Sequence, residues 1–547
     1  MIKNTTLLVL AASVLVACHR NSKSTDPITP EGIKSHIAVL ANDSLMGRKP
    51  FTEGEVKTTR YISQQFKQIG LEPGNNGSYF QEVPMVEIKG SPSETMDITG
   101  GKSPITLHAT TDFVAFSRQE LGEIDLKNSP LVFAGYGVVA PEYHWDDYAG
   151  LDVKGKTVVV LVNDPGFKSG DPKLFKGDTM TYYGRWTYKY EEAARQGAAG
   201  VIVVHQTEPA SYPWQVVSSS NSGARLYLQQ SNKHMDRCKV EGWMTEDAAK
   251  KLFAQAGITG DFRAIARKRG FKAIPLNMNV SVTIHNKLKY STSHNVIGVL
   301  KGSADPGEYI IYTAHWDHFG IGKPDAKGDS IYNGAVDNGD GSASLISMAK
   351  AFVTEKDKPK RSIIFLAVTG EEQGLLGSEY YATHPIYPLN KTLANLNMDA
   401  LGDYGETKDI SITGKGQNDL ESYIEKYAKE DSLTVVGDSK PGAGGYYRSD
   451  HFNFAKVGVP ALDMNTGLIS KTHEAGWAKK QQDDYVANQY HQPSDNYSPE
   501  MDATGMAQVA NLLFRLGNDL ANGDTFPGWK NGSEFKAVRE KSMGEKR

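Results

Sequence analysis

Residues 362–378, SIIFLAVTGEEQGLLGS, join an apolar run to a pair of adjacent acidic residues. The run from Ser362 to Val368 is bounded by charged residues and glycine, which is typical of a buried parallel strand. Glu371 and Glu372 follow it closely. Because open α/β sheets bind ligands at the carboxyl ends of their strands, this stretch predicts an α/β fold with the acidic pair at a binding site.

Four more motifs place metal-binding residue types in the same half of the chain. A catalytic zinc site uses imidazole nitrogens and carboxylate oxygens and leaves one position open for water. Two neighbouring zinc ions need one shared carboxylate plus one histidine and one carboxylate each. The chain supplies that set and one further glutamate that could act as a base, so the motifs predict a co-catalytic metallohydrolase. They are His315 in AHWDHFG after the apolar run EYIIYTA, Asp337 in AVDNGDGSAS before a helix-like segment, Asp399 in NLNMDALG, and His491 in YHQPSDN.

Taken together, these motifs resemble those of the dizinc aminopeptidase superfamily, which includes carboxypeptidase Q and glutamate carboxypeptidase II. The likeness covers residues 286–520 and is weaker over residues 31–85. It implies a three-layer αβα sandwich with a mixed central sheet and two Zn²⁺ ions as cofactors. The implied ligands are His315 and Asp399 for one zinc ion, Glu372 and His491 for the other, and Asp337 as the bridge between them.

The resemblance also implies roles for residues around the ligands. Glu371 would take a proton from a water shared by the two ions and deliver it to the leaving amine, while Asp317 would orient His315. A tyrosine would stabilise the oxyanion, and both Tyr490 and Tyr446 are candidates. Two other histidines of these motifs are predicted to be structural rather than ligands: His318 and His451.

The amino-terminal residues indicate export. Lys3 precedes a short apolar stretch from Leu7 to Val16, which is too brief to span a membrane. Leu15-Val16-Ala17-Cys18 resembles a bacterial lipobox. We therefore expect a lipoprotein signal peptide over residues 1–17, lipidation of Cys18, a polar tether over residues 18–30, and anchoring to the outer membrane facing the periplasm. A cleaved, soluble export signal is the alternative.

Composition sets further limits. The chain has 547 residues, only 2 cysteines and a formal charge of −4. With Cys18 carrying lipid, no disulfide can form within the chain, so a large apolar core must supply its stability. The charge gives no electrostatic case for nucleic acid as a partner, and the expected partners are peptide substrates and a membrane.

Apolar patterns divide the chain into segments. The spacing of Ile62, Phe66 and Ile69 predicts a helix that ends at Gly70. The family resemblance implies that such helices begin the peptidase domain, which we expect over residues 31–119. Residues 120–280 are rich in short β runs, and VVVLV and GVIVV with a helix between them resemble a protease-associated domain inserted into the peptidase. Residues 281–525 should complete the catalytic domain, and residues 526–547 form a polar, frayed or loosely docked tail.

Several functions are compatible with this fold. The superfamily resemblance favours an aminopeptidase, whereas a carboxypeptidase or dipeptidase needs a cation for the terminal carboxylate, for which Arg448 is the candidate. Glutaminyl cyclases use a single zinc ion, and non-catalytic relatives lose ligands. The full ligand set of this chain disfavours both of these last classes.

Overall fold

The computed structural model describes residues 26–544. The predicted signal peptide, Cys18 and most of the predicted tether lie outside the described residues. Across residues 26–544, none of the helices combines the length and the apolar character needed to cross a bilayer.

The helices and strands of this range alternate along most of the chain. The helices are α1 (Pro30–Leu40), α2 (Glu53–Ile69), α3 (Trp186–Arg195), α4 (Thr207–Ala210), α5 (Trp214–Ser220), α6 (Glu246–Gln255), α7 (Phe262–Ala266), α8 (Gly341–Thr354), α9 (Leu376–Thr383), α10 (Leu420–Glu430), α11 (His451–Lys456), α12 (Trp477–Asn488), α13 (Thr504–Asn522) and α14 (Lys536–Gly544). The strands are β1 (Glu72–Pro73), β2 (Phe80–Pro92), β3 (Thr95–Gly100), β4 (Ile105–His108), β5 (Phe113–Phe116), β6 (Glu123–Phe133), β7 (Val139–Ala140), β8 (Trp145–Asp146), β9 (Thr157–Leu161), β10 (Gly200–His205), β11 (Arg225–Leu228), β12 (Val240–Thr245), β13 (Ile274–Leu300), β14 (Asp305–His315), β15 (Gly320–Ile321), β16 (Ile331–Tyr332), β17 (Arg361–Val368), β18 (Thr392–Asn397), β19 (Asp409–Ile412), β20 (Thr434–Val436) and β21 (Ala461–Thr466).

A mixed sheet forms the centre of the peptidase part. Its strands lie in the order β2, β13, β17, β14, β18, β21, β19, β20. The four strands β17, β14, β18 and β21 are parallel, so their carboxyl ends reach the same edge. The predicted strand 362–368 is therefore confirmed, and it lies inside the sheet.

Both faces of this sheet are covered. Along β17, Ile363 and Phe365 enter one apolar core while Ile364 and Leu366 enter another. Helices α1, α2, α8, α10 and α13 contribute to the first core, and α11 contributes to the second. Alternate side chains of one strand thus face two helical layers, as expected for a parallel strand buried on both sides. The predicted three-layer αβα fold is confirmed.

The amino-terminal helices have clear boundaries. Thr52 caps α2 by accepting a hydrogen bond from the backbone of Gly54, and Gly70 ends the helix in the left-handed region with φ of 99°. Ile62 and Phe66 are buried in the first core. The helix predicted from their spacing is confirmed.

Residues 96–284 form a second, β-rich unit with apolar cores of its own, which we call the insert unit. Strands β6, β9, β10 and β12 are parallel, and α3 connects β9 to β10. This is the strand–helix–strand arrangement predicted from VVVLV and GVIVV. Its assignment as a protease-associated domain stays a prediction.

The observed unit does not coincide with the predicted range 120–280. Met96 and Leu107 already pack in its core, because β3 pairs with β13 and β4 pairs with β3. The other predicted boundary falls inside β13, a strand of 27 residues. Its first half pairs with β6, and its second half pairs with β17 in the peptidase sheet. A continuous strand, rather than a linker, therefore connects the two parts.

The predicted polar tail from residue 526 differs more strongly. Trp529 and Phe535 are 4% and 2% exposed and pack in the second peptidase core. Arg539 donates hydrogen bonds to the carbonyls of Leu389 and Thr392. The aromatic side chains dock this segment firmly even though most of its neighbours are polar, because a few buried aromatic groups remove a large apolar area from water.

Candidate metal centre

The strand ends place the acidic and imidazole groups in one location. His315 is the last residue of β14 and pairs with Val368, the last residue of β17. Glu371 and Glu372 follow β17, and Asp399 follows β18. Since β17, β14 and β18 run parallel, these side chains meet at the carboxyl edge of the sheet.

Asp337 lies between the two histidines. Its Oδ1 is 3.3 Å from Nε2 of His315, and its Oδ2 is 3.0 Å from Nε2 of His491. One carboxylate thus presents a different oxygen to each imidazole. This is the arrangement that a bridging ligand between two cations requires.

Each histidine has a second acidic neighbour. Nε2 of His315 lies 3.2 Å from Oδ1 of Asp399, and Nε2 of His491 lies 3.3 Å from Oε2 of Glu372. Glu371 also faces the centre, with its Oε2 farther away, at 3.8 Å from Nε2 of His315. The five predicted ligands therefore come together, and Glu371 lies beside them.

The donor set fits divalent cations. Counting Glu371, four carboxylates converge on two imidazoles, so acidic groups outnumber the basic groups at this centre. Buried carboxylates are costly unless a cation neutralises them. Mixed imidazole and carboxylate donors are the ligands that zinc prefers in catalytic sites.

The electrostatics of the centre follow from burial and crowding. Burial, together with the neighbouring carboxylates Asp399 and Glu372, raises the pKa of Glu371 well above its usual range. For His491, burial lowers the pKa, but hydrogen bonds to Asp337 and Glu372 outweigh this and raise it to about 9. A bound cation reverses this balance by favouring ionised carboxylates and neutral imidazoles.

Asp317 supports the centre through two groups. Its backbone carbonyl lies 3.2 Å from Nδ1 of His315, whereas its carboxylate oxygen is 3.8 Å from that nitrogen. The same carboxylate oxygen accepts a hydrogen bond from the backbone of Glu371 at 3.1 Å. The residue predicted to orient His315 therefore contacts it mainly through the backbone and holds the Glu371 loop through its side chain.

The two candidate tyrosines occupy different places. The ring of Tyr490 stacks on His491 with centroids 3.7 Å apart, and it lines a cavity of about 420 Å³ together with Glu371 and Glu372. Tyr446 is buried and borders another cavity, which is lined by Lys176 and residues 414–417. The structure therefore brings Tyr490, and not Tyr446, to the metal centre.

The two histidines predicted to be structural also differ. Nδ1 of His318 lies 2.6 Å from Oε1 of Glu372, so this ring positions a predicted ligand. His451 is fully buried next to Tyr446, and burial lowers its pKa to about 3. Neither histidine belongs to the groups of ligand atoms found within the described residues.

Sequence reasoning missed two residues that hold the ligand loops. Asp495 accepts hydrogen bonds from the backbone N–H groups of Val336 and Asp337, which fixes the bridging residue. Its presence in the quoted motif YHQPSDN was the available signal. Arg48 is fully buried and lies more than 200 residues before the motifs, so spacing gave no signal for it. It donates hydrogen bonds to the carbonyls of Leu40, Trp316, Asn333 and Gly334.

The chain is similar in sequence to known peptidases. Residues 295–516 match the sequence model of Peptidase family M28. Aminopeptidase NAALADL1 of Mus musculus is 30% identical over 172 residues, which cover 30% of this chain and 21% of that protein. A glutamate carboxypeptidase 2 homolog of Caenorhabditis elegans is 22% identical over 437 residues, covering 69% of this chain and 52% of that protein. Among solved structures, an aminopeptidase from Aneurinibacillus sp. strain AM-1 superposes with a TM-score of 0.48 at 19% identity, covering 91% of this chain and 96% of that one.

The matched segment contains every predicted metal ligand. Residues 295–516, less than half of the chain, are therefore similar to Peptidase family M28. The chain spans between 21% and 52% of the length of the two curated relatives named above.

Replacing Asp337 by Asn tests the bridge. The change removes the negative charge that faces both histidines, so we expect both metal ions to be lost on dialysis, whereas His491→Ala should weaken mainly one. Metal content per chain, measured by mass spectrometry after dialysis, distinguishes these outcomes. Retention of two ions by the Asp337→Asn protein would contradict the bridging role.

Proposed function

We propose that this protein is an exported, dizinc aminopeptidase that removes residues from the amino ends of peptides. The observation that carries the proposal is the position of Asp337, whose two oxygens face His315 and His491 at 3.3 and 3.0 Å. His315 and Asp399 would hold one zinc ion, and His491 and Glu372 the other. When bound, the two ions supply Lewis acidity to a water molecule and to the peptide carbonyl.

Glu371 would move the proton in this reaction. It adjoins the ligand Glu372 but lies farther from the imidazoles, and its backbone is tied to Asp317. A carboxylate that lies beside the ligands without being one of them is free to accept and then donate a proton, as general acid–base catalysis requires. Glu371 would thus accept a proton from the attacking water and donate it to the leaving amine.

Tyr490 would stabilise the charge that develops on the carbonyl oxygen. Its ring is stacked on His491, and the residue lines the cavity of about 420 Å³ that also contains Glu371 and Glu372. A hydroxyl held at this edge can donate a hydrogen bond to an oxyanion. Tyr446 lies in another cavity, so we assign it no part in catalysis.

The choice of the amino end rests on charge and on family resemblance. The carboxylates of Glu371 and Glu372 line the cavity, and a substrate ammonium group could donate a hydrogen bond to one of them. A carboxypeptidase or dipeptidase is the second candidate, because Arg448 lines the same cavity as Glu371 and could bind a terminal carboxylate.

Glu371→Gln should separate catalysis from metal binding. We expect the variant to keep both metal ions and to lose at least about a hundredfold in kcat, because only the proton transfer is removed. Glu372→Gln is the matched comparison and should lose metal from one site. If Glu371→Gln lost metal as readily as Glu372→Gln, the roles within the pair would be exchanged.

Capped peptides should reveal which end is cut. N-acetylation should severely reduce turnover, whereas C-terminal amidation should have little effect, since an acetyl cap removes the ammonium charge and adds bulk. Mass spectrometry of a longer peptide should show single residues leaving from the amino end. Sequential loss from the carboxyl end, abolished by Arg448→Ala, would support the carboxypeptidase alternative.

We also propose that the protein is lipid-anchored through Cys18 to the bacterial envelope, on the basis of the Leu15–Cys18 sequence. Cells given a labelled fatty acid should label the wild-type protein and the Cys238→Ser control, but not Cys18→Ser, because the thioether needs the Cys18 sulfur. Cys238 is buried and serves as the matched cysteine. A soluble protein whose amino terminus is a residue other than Cys18 would refute the anchor.

A further inference from the structure

The catalytic cavity is lined by both parts of the molecule. The peptidase part contributes Glu371, His491 and Arg448, and the insert unit contributes Arg185 and Arg225. A substrate that extends away from the metal centre within this cavity would therefore contact the insert unit.

Three of the six lysine and arginine side chains of this lining have acidic partners, and a fourth, Arg225, donates a hydrogen bond to the amide oxygen of Asn221. Arg118 and Arg237 share the buried carboxylate of Glu241 at 2.8 and 3.0 Å. Lys456 binds Glu191 at 2.8 Å. These three charges are neutralised by the protein and are not available to a ligand without breaking an ion pair.

Arg185 and Arg448, which we call the arginine pair, have no carboxylate partner among residues 26–544. Nε of Arg185 is buried and donates no hydrogen bond to any group of residues 26–544. Arg448 is exposed and makes one hydrogen bond, from its Nη2 to the carbonyl of Ala443 at 2.9 Å. The side chain of Arg185 lies beside Gly444, and Arg448 binds the carbonyl of the preceding residue, Ala443, so both arginines border the same loop. Burial and the nearby positive charge of Arg448 lower the pKa of Arg185 to about 10.

One buried carboxylate holds the supports of the pair together. Glu534 accepts hydrogen bonds from the backbone of Tyr182 at 3.1 Å and from the hydroxyl of Tyr447 at 2.7 Å. Tyr182 lies three residues before Arg185, and Tyr447 directly precedes Arg448. The docked carboxyl-terminal segment therefore fixes one arginine of the insert unit relative to one of the peptidase part.

We propose that the arginine pair is a binding subsite for a carboxylate group of the peptide substrate, formed jointly by the insert unit and the peptidase part. Guanidinium groups bind carboxylates through paired, charge-assisted hydrogen bonds, and a ligand carboxylate would relieve the repulsion between two adjacent cations. The group could be the side chain of an acidic residue or the α-carboxylate of a short peptide. The proposal rests on the proposed peptidase function and gives it a preference for anionic peptides.

Two peptide series distinguish the sources of the carboxylate. The first contains tetrapeptide amides that differ only by Glu or Gln at the first or second residue. The second contains neutral dipeptides with a free or an amidated carboxyl end. In the series whose carboxylate binds the arginine pair, the wild-type protein should show a higher kcat/KM for the anionic peptide than for the neutral one. The difference should come mainly from a lower KM.

Arg448→Gln and Arg185→Gln should each reduce this preference at least about tenfold, as expected for the loss of a charge-assisted hydrogen bond. Arg60→Gln, on the exposed face of α2, is the control and should leave the preference unchanged. Arg448 is exposed, so its variant tests the subsite even if Arg185→Gln folds poorly. Arg448→Lys should keep part of the preference, because the charge remains.

Calorimetric titration of the same peptides into zinc-loaded Glu371→Gln protein gives a second readout. An active enzyme whose preference is unaffected by Arg448→Gln in both series would overturn the subsite and leave the peptidase function intact. A different result would be a protein that hydrolyses none of the peptides but binds the anionic ones more tightly than the neutral ones, with the difference lost in Arg448→Gln. That result would support the subsite and refute the peptidase function. Equal binding of anionic and neutral peptides would also overturn the subsite.

Discussion

The site depends on holding one carboxylate between two imidazoles. Asp337 meets His315 through one oxygen and His491 through the other, and each histidine has its own acidic partner. Such a concentration of buried negative charge is stable only if a cation compensates it. The surrounding structure therefore has to hold the Asp337 loop in place against repulsion between its carboxylate and the neighbouring carboxylates. Asp495 does this from one side by binding the backbone of the Asp337 loop, and Arg48 does it from the other by binding four carbonyls.

The layered fold explains why these loops come together. Parallel strands β14, β17 and β18 end at one edge, and helices cover both faces of the sheet, so short loops after the strands carry the ligands on a rigid base. The insert unit then closes one side of the catalytic cavity. Strand β13 runs through both parts, and Glu534 ties them at the carboxyl-terminal segment.

The convergence of the candidate ligands could be predicted because its signals are local: an apolar strand followed by acidic or imidazole residues. The fold class followed from the same alternation of buried strands and helices. Arg48 could not be predicted, since its role consists of contacts with backbone carbonyls from distant segments. The boundary at residue 280 was misplaced because β13 alternates in polarity without a break through the junction. The tail was misjudged because the buried aromatic rings of Trp529 and Phe535 outweigh its polar composition.

The account's central claim is that Asp337 is shared by two metal ions. Crystals of the zinc-loaded protein, measured at the zinc absorption edge, test it most directly. Two anomalous peaks should flank the Asp337 carboxylate, one contacting His315 and Asp399 and the other contacting His491 and Glu372. A single peak, or two peaks with Asp337 bound to only one of them, would contradict the account.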